Sequence, residues 1–390
     1  GGGDGFRFFY VDWAKVVMDP QFYRHMILFT KTTLVDAKEK QAKRANAMLE
    51  FTKWSIDVIE EKMRNTPGME EACSYSASGV LDLAFTKEHL GKLSTGVTIY
   101  NAEPAVKVSR EQILDEMEPW LKHSVRAATL QGGRLQPSAA RGVAARFTEQ
   151  LARECTDDLG VKFHFNTPLE SVTLEKGRIV ALHTPGKTFE IDDRTEVVIA
   201  GGSWTPQLLA KLDLFCPMYP MKGYNLIAPN LGPAAQPRRV IVDDFVYIAP
   251  MSDELRITSV GEFAGWSTVP RPDIVEKLRD HALKLFPAEA RPAIESAKPV
   301  CGLRPFTSDG LLILGRVGEV ENLSVNTGPG FNGWKTALGA ARLLAEEIVE
   351  RPEEGERKTL EFDPKVFSPK GRVKSAPIFV ALTLLLSPFF

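Results

Sequence analysis

Arg304 lies in the segment Val300 to Arg316, VCGLRPFTSDGLLILGR, between an apolar approach and Pro305. A residue that precedes proline is confined to extended backbone, so this arginine is expected in a strand with its side chain aimed to one side. A planar, permanently charged guanidinium held that way suits two-pronged capture of a carboxylate. The competing reading is a buried ion pair, with Asp309 the nearest acid. Downstream, Gly328, Gly330 and Gly333 follow the G-x-G-x-x-G spacing. That spacing lets backbone N–H groups and a helix N-terminus approach an anionic ligand, although a glycine turn that only packs a helix on a sheet looks the same. Gly201 and Gly202 mark a second turn of this kind. Tyr224 and Tyr247 are candidates for lining a cavity, although a tyrosine in a strand more often simply packs. The six histidines are scattered and the four cysteines are widely spaced, so neither a metal site nor a nucleophile–base pair is expected.

These residues need elements to position them. Asn322 to Glu350 reads as a buried strand, a glycine turn and a helix, and Glu196 to Leu212 as another such unit, with Thr205 as N-cap and Pro206 at the first helical position. From Gln21 to Arg64 the chain is charged and rich in helix formers, with Phe22, Met26, Phe29, Leu34, Ala37, Ala45, Met48 and Trp54 as the expected inner face, and Pro67-Gly68 as its stop. Further helices are expected over Lys87 to Leu93, Arg110 to Trp120, Ala139 to Cys155 and Asp273 to Leu285, with strands at Cys73 to Leu83, Val161 to Phe165 and around a Lys176-Gly177 turn. Lys222 to Ala228, Val240 to Ala249 and Glu254 to Glu262 alternate in the manner of a mostly antiparallel sheet.

Several motifs in order, Tyr219-Pro-Met-Lys-Gly-Tyr224, Gly302-Leu-Arg-Pro305, Asn326-Thr-Gly-Pro-Gly330 with Gly333-Trp334, Val161-Lys-Phe-His-Phe-Asn-Thr-Pro168 and Met18-Asp-Pro-Gln-Phe22, make the chain resemble the FAD-dependent amine oxidoreductases of the D-amino-acid oxidase superfamily. Within it the chain resembles the bacterial-type D-amino-acid dehydrogenases, over about Val11 to Phe367. The resemblance implies an α/β fold with a Rossmann-like FAD-binding domain and a substrate domain built on a mostly antiparallel sheet. It implies FAD contacts at the Leu169 backbone, at Gly201 and Gly202, and at Gly328, Pro329, Gly330, Phe331, Asn332 and Gly333. Arg304 is the implied carboxylate anchor, with Tyr224 or Tyr247 as a second donor. The implied reaction moves a hydride from the α-carbon of an amino acid or amine to flavin N5, so the protein needs only to anchor, orient and polarise. Three positions depart from the family pattern: Pro329 stands where histidine is usual, Phe331 where a small polar residue is usual, and Val143 where aspartate is usual. Lys335 is unusual in the first helical turn and reads as a solvated lysine, since a cation there is unfavourable.

The resemblance also implies segments 11–135 (helical arm and part of the substrate domain), 136–215 (part of the FAD domain), 216–300 (substrate sheet), 301–350 (the rest of the FAD domain) and 351–390 (tail). The first βαβ unit of the family, with its own glycine fingerprint and ribose acid, is expected to be missing from the sequence. On that ground weak FAD binding by the chain as given is expected, with a non-catalytic binding remnant as the alternative function. An NAD enzyme using Gly328 to Gly333 is a weaker one, because Arg351-Pro352 follows the helix where a second strand would be needed. Two domains suit 390 residues. A net charge of −2 gives no reason to expect nucleic acid or an anionic surface as partner. The expected partner is a small amino acid or amine, and the electron acceptor is left between oxygen and a quinone-type carrier. No secretory signal reads from the start, so a cytoplasmic setting is expected. The 15 apolar residues from Ala376 fall short of the roughly 20 that span a bilayer, which favours an extension over a membrane anchor.

Overall fold

The computed structural model describes residues 9–93, 104–349 and 360–375. The glycine-rich start, most of the connector at 102–104, the charged stretch 350–359 and the apolar run from Ala376 lie outside the described residues. Strand β1 (Phe9–Val11) and the short helix α1 (Trp13–Val16) lead into α2 (Pro20–Thr30). Asp19 caps α2 by accepting from the Gln21 N–H at 2.9 Å, and Pro20 supplies a preset φ at the first position. A π-type turn at Lys31–Val35 joins it to the 28-residue α3 (Lys38–Asn65). The buried face of α3 runs Met48, Phe51, Ser55, Ile59, Met63, at helical spacing. Leu34, Ala37 and Ala45, expected on the inner face, are exposed. Leu34 lies in the π-type turn and Ala37 precedes α3, while α3 packs on the later helix α10 (Gly333–Ile348) through its middle, with Gly339 and Ser55 at the contact.

After Gly68, whose φ of +77° suits glycine, come α4 (Met69–Ala72), β2 (Val80–Ala84), α5 (Lys87–Lys92), β3 (Val106–Ser109) and β4 (Gly132–Gln136). Arg110 to Trp120 forms a π-type turn and a 3-10 turn instead of the expected α-helix. Pro119 prevents a continuous ladder there. Helix α6 (Ala144–Asp157) begins later than expected, because Arg141 and Val143 are used first to bond Ser76 and Cys73 backbone. The antiparallel trio β5 (Ser171–Glu175), β6 (Arg178–Thr184) and β7 (Lys187–Glu190) turns at Lys176-Gly177 as expected.

The remaining elements are β8 (Val197–Ile199), α7 (Thr205–Ala210), β9 (Leu214–Phe215), β10 (Met218–Pro229), β11 (Val240–Asp243), β12 (Val246–Pro250), β13 (Glu254–Phe263), α8 (Pro272–Leu285), α9 (Arg291–Glu295), β14 (Lys298–Thr307), β15 (Ile313–Arg316), β16 (Leu323–Thr327), α10 (Gly333–Ile348) and β17 (Lys374–Ser375). Among the described residues one sheet has nine strands, in the order β14-β10-β13-β12-β11-β2-β4-β3 with β1 beside β13. It is antiparallel except at β11–β2 and β1–β13. The stretch Val240 to Ala249 is two strands, not one, because Asp244 and Phe245 take φ of +48° and +67° and turn the chain back. One face of this sheet packs under α8 and α9, with Leu226, Ile248, Leu255, Ile257, Ile274 and Leu278 in the shared core. A second sheet, β15-β16-β8, carries β8 parallel to β16. Among the described residues no helix is long and apolar enough to cross a membrane.

Candidate active site

Cross-strand register decides which side chains share a face. Arg304 on β14 stands opposite Met221 on β10, and Gly302 stands opposite Gly223, which in turn stands opposite Gly261 on β13. Three glycines in one row leave a floor without side chains, and glycine inside strands marks a place where another group comes close. At Gly223 that group is Arg304: a Cβ built there would lie 2.5 Å from the guanidinium carbon. Beside it, a Cβ at Gly302 would meet nothing within 4 Å, so open space adjoins the guanidinium.

Arg304 donates to the Val260 carbonyl at 3.2 Å and stacks over the Phe331 ring at 5.3 Å. Among the described residues no carboxylate pairs with it, and burial pushes its pKa down from the ordinary arginine value. The alternative partner, Asp309, is bound instead to Arg372 at 2.7 Å. Arg304 is therefore a partly buried cation with donors to spare, the condition of a site that takes an anion.

Phe331 ties this floor to the glycine turn. Gly328 and Gly330 have φ of +79° and +54°, and a Cβ at Gly328 would be 2.4 Å from Thr307 Cγ2. Glycine is required there both by the left-handed backbone and by the contact with β14. Pro329 and Asn332 complete a 3-10 turn that feeds α10 at Gly333, and Asn332 makes no side-chain cap. The first N–H groups of α10 are thus left for another acceptor. Lys335, read as solvated, is half-buried, and burial lowers its pKa. At the second turn Gly202 has φ of +54° with open space around it, while a Cβ at Gly201 would press on Leu208. Thr205 does not cap α7 as expected. Its hydroxyl reaches the Thr327 hydroxyl at 3.2 Å, which joins the two glycine turns. Leu169, Val172, Ala200 and Leu208 line an apolar cleft of ≈ 380 Å³ at the outer side of β8.

The two tyrosines part company. Tyr247 lies on the same face of the large sheet as Thr258, its opposite number on β13, and so shares the open face with Asn225 and Arg304. Tyr224 lies on the other face. Its hydroxyl donates to Glu262 Oε2 at 2.6 Å, and burial together with that carboxylate raises its pKa. As a second donor to substrate Tyr224 is corrected, because strand alternation turns it into the core. Sequence reasoning passed over Lys222, Val260 and Glu262, which surround that hydroxyl and the Arg304 contact. The available signal was two charged residues at inward positions of alternating strands.

These features fit FAD. Two uncapped glycine turns, a helix N-terminus free for an anionic edge, and an apolar cleft beside Leu169 would accept its ring and nucleotide parts, and the glycines leave room where a Cβ would not. Comparison with known proteins agrees. Residues 28–347 match the family model described as FAD dependent oxidoreductase. D-amino acid dehydrogenases of Xanthobacter autotrophicus and Methylobacterium nodulans are 32% and 33% identical, covering 85% and 88% of this chain and 76% and 78% of theirs. Among solved structures, glycine oxidase from Geobacillus kaustophilus superposes with a TM-score of 0.66 at 23% identity, covering 83% of each chain. L-proline dehydrogenase from P. horikoshii gives 0.64 at 16%, covering 84% of each. At those identities the superpositions speak for the fold, and the α/β, Rossmann-like expectation stands. Taken with the family match and the sequence relatives, they establish that this chain belongs to the DAO family of FAD-dependent oxidoreductases.

Proposed function

We propose that the protein oxidises a free amino acid of the D series, as the names of its sequence relatives suggest, and that Arg304 holds the substrate carboxylate. The observation that carries this reading is Arg304 itself: partly buried, stacked on Phe331 of the glycine turn, hydrogen-bonded to one carbonyl and paired with no acid among the described residues. Bound FAD would supply the two-electron acceptor for the substrate α-hydrogen. Leu169, Gly201, Gly202 and the turn from Gly328 to Gly333 would hold it. The start of α10 would favour negative charge at the flavin edge it faces. The open space at Gly302 would give the carboxylate access to the guanidinium, and Tyr247 on the same face would donate a second hydrogen bond. In this reading 11–135 and 216–300 build the substrate domain, 136–215 and 301–350 the flavin domain, and 351–390 the tail, with β14 crossing from one domain to the other at 300/301. The relatives are named dehydrogenases, which supports a quinone-type carrier over oxygen as acceptor. Dye reduction without oxygen uptake would bear that out.

The test is Arg304→Lys. An ammonium keeps the charge but loses the fork, and losing about one charge-assisted hydrogen bond at ~1.5–3 kcal/mol raises KM for D-alanine roughly 10- to 100-fold. Flavin content should not change. A KM equal to that of the unaltered protein refutes the anchor.

A further inference from the structure

The back of the glycine row carries charges that the anchor does not itself touch. Lys222 on β10 and Glu262 on β13 stand opposite each other, both 0% exposed, with Nζ and Oε2 2.6 Å apart. Glu262 also accepts from Tyr224 at 2.6 Å and from Arg271 at 2.9 Å, and Lys222 donates to the Val269 carbonyl at 3.0 Å. A lysine–glutamate pair taken wholly out of water recovers its desolvation cost poorly, and apolar residues of similar volume would often be as stable. Its worth is then in the geometry it imposes.

That geometry is next to it. The register of β10 on β13 slips between Gly223 and Tyr224: Gly223 pairs with Gly261 and Tyr224 with Ser259, leaving Val260 as the extra residue of a bulge. Val260 has φ of +61°, a left-handed backbone that a β-branched residue adopts only when its surroundings force it. Its carbonyl is the acceptor of the Arg304 hydrogen bond. On the front face the glycines contribute no side chains of their own; Arg304 lies over Gly223, and Met221 and Phe9 lie over Gly261. On the back, Glu262 is two residues from Val260, Lys222 is adjacent to Gly223, and Tyr224 is the residue at the slip. The four-membered cluster therefore grips both strands at the bulge.

We infer that Glu262, clamped by Lys222, Tyr224 and Arg271, is a positioning residue: it holds the Val260 bulge so that the Val260 carbonyl fixes the Arg304 guanidinium over Gly223. The inference rests on Arg304 as carboxylate anchor. It makes no use of the cluster as an acid, base or substrate contact. It assigns to the cluster an effect on carboxylate binding and none on the chemical step.

The experiment replaces the cluster by apolar residues of similar size, Lys222→Met, Tyr224→Phe and Glu262→Leu together, in the flavin-loaded protein. Expected are a Tm equal to or above the original, KM for D-alanine raised about tenfold, and kcat within about threefold. The dissociation constant for propionate, a carboxylate without an amine followed by perturbation of the flavin spectrum, should rise in parallel. Tyr224→Phe and Val260→Gly, singly, should each raise that constant about two- to fivefold, and they decide the matter if the triple variant does not fold. Arg304→Lys is measured alongside. Weaker propionate binding in Arg304→Lys with none in the cluster variants overturns the positioning role and leaves the anchor standing. Unchanged binding in Arg304→Lys refutes the anchor itself.

Discussion

In the nine-stranded sheet β13 is paired along both edges and buries Leu255 and Ile257 beneath α8, whereas in the three-stranded sheet β8 has β16 on one side and no described strand on the other. Near that open side runs Val161 to Phe165, which alternates as regularly as β13 does. It forms no strand: Phe165 is 77% exposed, and Phe163 and Phe165 stack on each other at 5.7 Å. The two regions show that an alternating sequence becomes a strand only where a neighbour satisfies its backbone and covers its apolar side. They also divide the labour of the site. The large sheet supplies a paired platform for Arg304, while in the proposed function the small sheet and its glycine turns would seat the cofactor.

The contrast can be tested by substitution, the strongest effect coming from the paired region. Ile257→Ala empties a fully buried position in the large sheet and should lower stability by roughly 2–5 kcal/mol, read as a drop in the denaturation midpoint. A loss below about 1 kcal/mol would mean that this core is loosely packed. His25 comes next. It sits among Phe29, Tyr219, Phe263 and Phe306 beside the platform, with neither ring nitrogen hydrogen-bonded among the described residues, and burial lowers its pKa to about 4. Since the unfolded chain takes up this proton near pH 6.5 and the folded chain does not, stability is retained above pH 6.5 and declines as pH falls towards 4. The decline amounts to about 3 kcal/mol at the lower end. His25→Phe should flatten that limb of the stability–pH curve, and an unaltered limb would assign it to other groups.

Gly223→Ala is a smaller change with a sharper reading. The three atoms nearest the added methyl all belong to the end of the flexible Arg304 side chain, so the fold should persist while KM for the amino acid rises about tenfold, or ~1.4 kcal/mol. Unchanged KM would place the productive guanidinium elsewhere. The smallest effect belongs to the open region: Phe163→Ser, at an exposed and unpaired position, should shift stability by about 0.5 kcal/mol or less. A loss comparable to that of Ile257→Ala would show that Phe163 is covered in the folded protein, and the comparison of the two sheets would fail.

The sequence by itself determined what depends on a few neighbouring residues. Pro305 dictated the extended backbone of Arg304. The spacing of Gly328, Gly330 and Gly333 dictated a strand, a left-handed turn and a helix, found at Leu323–Thr327 and Gly333–Ile348. Pro67-Gly68 marked the end of the helical arm, found just past Asn65, the last residue of α3. Only the tertiary structure decided what depends on partners distant in sequence. It placed Asp309 with Arg372 and left Arg304 to a carbonyl, turned Tyr224 into the core while Tyr247 kept the open face, and left Val161 to Phe165 without a ladder. The physical reason is strand alternation: a side chain's face reverses with every residue, so a single bulge at Val260 resets what lies in front of the sheet and what lies behind it. Register is fixed by pairing between distant segments, and no local spacing contains it.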